Sequence, residues 1–139
     1  MTSELRVDNL KGSTTGGSIN VLGEGTSVTT NLQQGLAKLW CHLDMNQDPH
    51  TIDDSLNTSS VTDSTTGEFK INISSAFSNT GYSSTGMTNG SAGVSRGIIS
   101  QDHDNSRTTS QLPIITSQDS NGAYTDFPSS STNMAGDLA

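Results

Sequence analysis

From residue 68 to residue 75 apolar and polar side chains alternate. Phe69, Ile71 and Ile73 oppose Lys70, Asn72 and Ser74, which is the period of a half-buried β-strand. The polar turn Ser64 to Gly67 precedes this run, and Ser60-Val61-Thr62-Asp63 precedes the turn, so the segment reads as a β-hairpin. Residues 31 to 43 carry two overlapping patterns. Leu32, Leu36, Leu39, Trp40 and Leu43 fit a helical stripe with Asn31 as its N-cap. Alternatively, Ala37, Leu39, Cys41 and Leu43 share one face of a strand and Lys38, Trp40 and His42 the other. Gly35 weakens the long helix, which favours a short turn followed by the strand. Asp44 to Asn57 reads as a polar loop. Further strands are expected around Tyr82 to Met87, Ser91 to Ile99, Leu112 to Thr116 and from Phe127 onwards. Loops are expected at Asn89-Gly90, Asp102 to Arg107 and Asp119 to Gly122.

The N-terminal stretch behaves differently. Residues 4 to 9 alternate like a short strand, Gly12 to Gly17 form a turn or link, and Ser18 to Leu22 read as a second strand. Two such isolated strands do not make a stable domain. The expectation is an all-β chain: an extended arm over 1–30, then an antiparallel β-sandwich or jelly-roll-like domain over 31–139, without internal repeats. The arm would dock through Leu5, Val7, Asn9, Ile19 and Val21.

Composition sharpens this picture. Only 29% of the 139 residues are hydrophobic and 4% aromatic, while Ser and Thr supply 42 and Gly 14. A chain this poor in apolar residues has little to bury alone. Low hydrophobicity also suits disorder, but the clusters Leu39-Trp40, Gly97-Ile98-Ile99 and Leu112-Pro113-Ile114-Ile115 are spaced as in an all-β domain. Burial between subunits then makes up the shortage. The formal net charge of −8 with six Lys and Arg disfavours nucleic acid and anionic lipid as partners. No apolar leader precedes the polar start and no run approaches a membrane span, so synthesis in the cytoplasm without membrane insertion is expected. The single Cys41 forms no internal disulfide and reads as a small buried residue.

Signals for chemistry are weak. His42, His50 and His103 are too scattered for a zinc motif. Asp44-Met45-Asn46-Gln47-Asp48 begins like a calcium loop, but Pro49 and Ser55 occupy positions that such a loop gives to Gly and Glu. Asp102-His103-Asp104 could pair a carboxylate with an imidazole, yet a solvated turn explains it equally and no Gly-x-Ser-x-Gly supplies a nucleophile. Gly12 to Gly17 lacks the Gly-Lys-Ser/Thr of a phosphate loop. The expectation is a non-enzymatic protein without cofactor or metal. Trp40, Tyr82, Tyr124 and the phenylalanines could stack on sugar rings. With so few aromatics, Trp40 and Phe69 are assigned to the core. Tyr124, beside the Asn121-Gly122 turn, is the better surface contact.

Three segments together resemble the short tail-fibre-like virion proteins of marine bacteriophages. The first is Ser3-Glu4-Leu5-Arg6-Val7-Asp8-Asn9-Leu10 with Gly16-Gly17-Ser18-Ile19-Asn20-Val21, similar to the arm of such fibres. The second runs from Ala37-Lys38-Leu39-Trp40 through Asp54-Ser55-Leu56-Asn57-Thr58-Ser59-Ser60-Val61-Thr62-Asp63 to Thr66-Gly67-Glu68-Phe69-Lys70-Ile71-Asn72-Ile73. The third is the terminal Met134-Ala135-Gly136-Asp137-Leu138-Ala139. Leu56 stands where the pattern has Phe. The resemblance implies a homotrimeric virion component, docked to tail or capsid proteins by its arm and facing a host-surface glycan or protein. Tyr124, Asp102, His103 and Asp104 are then candidate host contacts. Two alternatives remain: a capsid decoration or cement protein acting by strand addition, and a polysaccharide hydrolase or lyase in which Asp102 and Asp104 converge in a groove.

Overall fold

The hairpin anticipated around Gly67 anchors one of the two main sheets in the computed structural model, which describes residues 4–15, 19–22, 29–32, 35–90 and 96–139. Strands β1 (Asn20–Leu22) and β2 (Thr29–Asn31) form one antiparallel pair. They lie within the first of the chain's two units, Met1–Leu36. The second unit, Ala37–Ala139, holds β3 (Leu39–Asp44), β4 (Thr51–Leu56), β5 (Thr58–Thr65), β6 (Glu68–Ile73), β7 (Ser83–Thr88), β8 (Gly97–Gln101), β9 (Gln111–Gln118) and β10 (Ser130–Ala135). Its two antiparallel sheets have four strands each, in the orders β4-β3-β10-β7 and β5-β6-β9-β8. The expected strand at 91–95 lies outside the described residues; β8 begins at Gly97.

Alternation explains which faces meet. On β6 the buried residues are Phe69, Ile71 and Ile73, and on β3 they are Leu39, Cys41 and Leu43. Leu112 and Ile114 from β9 and Met134 from β10 complete a single cluster drawn from both sheets. The arrangement is therefore sandwich-like, with one apolar layer between two inner faces. Phe77 and Tyr82 stack at 4.4 Å between ring centroids, extending this layer beyond the strands. Pro113 tolerates its central position because its carbonyl accepts the Asp102 N–H, the first residue after β8 ends. The N–H that proline lacks would point to that same edge, where the ladder has stopped.

Three expectations need correction. Glu4 to Asn9 form no strand: Arg6 reaches back to Glu4 at 2.7 Å, but among the described residues no second strand pairs with the segment, and a strand needs a ladder partner. The 44–57 stretch is not all loop, since Thr51–Leu56 forms edge strand β4. Its Thr-Ile-Asp-Asp-Ser-Leu sequence is poor in strand formers. A bulge opposite His42 and Leu43 inserts Asp53 and breaks the alternation on which a strand reading depends. Trp40 is only half-buried and lies on the outward face of β3, not in the core.

Burial at the inner face pushes the Cys41 thiol up to about 11, partly offset by the nearby Thr58 hydroxyl, which approaches without forming a well-aligned hydrogen bond. The folded protein is thus expected to resist iodoacetamide at pH 8 and to react fully in denaturant, as read by mass spectrometry. The unfolded thiol ionises near 9.0 and the folded one about 11. Between these values only the unfolded state loses its proton, so stability falls as pH rises. Burial also raises Tyr82, against the pull of Arg107, and adds to the same alkaline loss.

Candidate functional site

The register of the two sheets separates two very different outer faces. On the β5-β6-β9-β8 sheet, Asn72 donates to Ser60 Oγ and Thr62 Oγ1, both at 2.9 Å, and accepts from Gln111 Nε2 at 2.7 Å. There, polar side chains of three neighbouring strands bond one another. On the β4-β3-β10-β7 sheet the pairs Leu56↔Trp40, Trp40↔Asn133 and Asn133↔Thr85 make one outward row. Asp54↔His42, His42↔Ser131 and Ser131↔Met87 make the next. An indole therefore sits mid-sheet with Leu56 on one side, while Met87, 78% exposed, stands at the far edge of the neighbouring row.

These rows line a groove of about 820 Å³ that includes Trp40, His42, Asp54, Thr85, Met87 and Asn133. One wall is held by His42: Ser131 Oγ lies 3.1 Å from Nδ1, with Ser129 Oγ and Asp53 Oδ2 each 3.4 Å from Nε2. The bulge that hid β4 from a sequence reading is what brings Asp53 to this imidazole. Because the lining comes largely from strands, its geometry is fixed by the backbone ladder. The arrangement offers an aromatic surface, the aliphatic Met87 and hydroxyl, amide and carboxylate groups.

None of Asp102, His103, Asp104 and Tyr124 is among the groove's described lining residues, and of these only the first three cluster together. Asp102 is buried in the β8–β9 connection, where its carboxylate accepts from Asp104 N at 2.8 Å and Asn105 Nδ2 at 2.6 Å. Burial works to raise this carboxyl, but the Asn105 and backbone hydrogen bonds, with a contribution from His103, outweigh it and hold it below the usual value. His103 and Asp104 are exposed and 3.2 Å apart. One ligand atom from each of Asp102, His103 and Asp104 falls within 4.8 Å of the others. With Asp102 already engaged in its turn, the cluster is explained as loop structure. Tyr124 is 40% exposed and bridges to Ser117. The Asp102 N–H donates to the Pro113 carbonyl, and Pro113 lies four residues from Ser117 along β9, a rise of about 13 Å. Leu5, Val7 and Val21 of the first unit are all exposed, and Ile19 accepts the Leu32 N–H at 2.8 Å.

His50 is a further buried polar residue that the sequence did not distinguish. Its Nε2 lies 3.5 Å from Asp63 and 3.4 Å from Asp126, and its ring meets the edge of Phe69. It joins the β3–β4 loop to the opposite sheet. The groove was legible in one respect: the strand reading put Trp40 and His42 on the face opposite Leu39 and Cys41. The preference for burying a scarce tryptophan obscured its meaning. No protein-family model, curated protein or solved structure matches the chain.

Proposed function

We propose that this chain is a non-enzymatic structural protein of a bacteriophage particle. It is a short fibre-like surface component that attaches by its N-terminal arm, assembles as a homotrimer and adheres to the host. The observation that carries the adhesive part is the groove around Trp40, an outward aromatic in a chain whose few other aromatics mostly fill its core. The virion context rests on the sequence resemblance, whose second segment takes in the start of β3, the end of β4, most of β5 and all of β6, while the 42–53 stretch departs from the pattern; its third segment begins at Met134 within β10. Exposed Leu5, Val7 and Leu10 supply the arm with apolar side chains for docking. The same feature suits the alternative of a cement protein that adds strands to capsid subunits. The hydrolase reading is disfavoured because the Asp102 carboxylate turns into its own loop.

Antibody labelling of intact particles, read by electron microscopy, is expected to mark the distal tail. Uniform labelling of the head would favour the cement reading. Excess purified protein should also block particle adsorption to cells. Light scattering should give three times the 14.5 kDa chain mass, and a stable monomer at micromolar concentration would count against the trimer.

A further inference from the structure

We propose that the Trp40 groove binds a neutral saccharide, an inference that rests on the adhesive reading of this face. Three features of the groove select this ligand class. The first is the pairing of Trp40 with a mixed set of hydrogen-bonding groups. An indole covers the apolar C–H face of a pyranose, while the Asn133 amide, the Thr85 and Ser131 hydroxyls and the Asp54 carboxylate offer the mix of donors and acceptors that ring hydroxyls require.

The second is charge. No lysine or arginine is among the described lining residues, whereas Asp54 lines the groove and Asp53 lies beside His42. A sialylated, sulfated or phosphorylated glycan would meet carboxylates and nothing cationic except a protonated His42, itself already placed against Asp53. The third is shape and rigidity. The volume of about 820 Å³ lies within the range of small-molecule sites. A second copy of the chain would be recognised by a larger and drier apolar surface than one interleaved with Asn133, Ser131 and Asp54.

Trp40 is the sole tryptophan, so its emission reports on this groove alone. The full chain is titrated with neutral oligosaccharides built from glucose, galactose, mannose and N-acetylglucosamine, and in parallel with sialylated and sulfated ones. The expected result is a saturable change in emission with at least one neutral series in the millimolar range or below, and none with the anionic series. In calorimetry, Trp40→Ala should abolish binding, and both Trp40→Phe and Asn133→Leu should weaken it about tenfold. Circular dichroism confirms that each variant is folded. Emission unchanged by every neutral saccharide, binding unaffected in folded Trp40→Ala, or a stronger response to anionic glycans would each overturn the proposal. An emission shift that depends only on protein concentration would do the same, by identifying a second copy as the occupant. If adsorption is blocked by the purified chain yet no neutral saccharide binds, the ligand class fails and adhesion stands. If saccharide binds but adsorption is unaffected, the adhesive reading fails and the site remains.

Discussion

Replacing Gly67 with alanine is expected to destabilise the protein by about 3 kcal/mol or more, lowering the melting temperature by about 12 °C or more. Two costs combine. Gly67 has φ +72°, where an L side chain is strained by about 1 to 2 kcal/mol. An added Cβ would also lie 2.6 Å from both the Thr116 carbonyl oxygen and the Thr125 nitrogen, backbone atoms that cannot rotate away. Relieving that contact would pull on bonds that tie three segments together. The Gly67 N–H donates to Asp126 Oδ1 at 2.6 Å, and its carbonyl accepts from Thr116 N at 2.7 Å. Asp126 in turn lies against the buried His50. Gly122→Ala separates the two costs, because Gly122 has φ +71° but nothing within 4 Å of the added Cβ. That variant should lose only about 1 kcal/mol. Equal losses at the two positions in thermal and urea unfolding would show that backbone strain alone governs Gly67.

Elements whose physics is local were readable from sequence. The β5–β6 hairpin follows from two-residue alternation and a glycine that accepts positive φ, and β3 follows from the same alternation once Gly35 breaks the helical stripe. What could not be read depends on pairing at a distance. Edge strand β4 has two adjacent aspartates and a bulge, and its place is set by the ladder with β3. The alternating Glu4 to Asn9 satisfies the strand pattern but has no ladder among the described residues. The site escaped for a related reason. Trp40, Asn133 and Thr85 meet only because β10 lies between β3 and β7, an order that no local pattern contains. Asp102, His103 and Asp104 stood out because they are adjacent in sequence, and adjacency is what a turn produces.

The opposite fates of two aromatics give the sharpest check on this architecture. Phe69 is 1% exposed on the inner face of β6, in register with Ile114 and against the His50 ring. Phe69→Ala should therefore cost about 4 kcal/mol, through lost transfer energy and the cavity left between sheets that cannot fully collapse. Against a usual total of about 5 to 15 kcal/mol, this leaves a protein close to its unfolding threshold, with a large fall in denaturation midpoint by circular dichroism. Trp40 is the larger side chain, yet its outward position means that Trp40→Ala removes contacts on one side only and should cost about 1 kcal/mol. A loss at Trp40 as great as that at Phe69 would mean that the indole is packed as core and that the outer face is closed. A small loss there leaves the chain's only tryptophan outward for a purpose that folding does not explain, which is the condition the binding proposal requires.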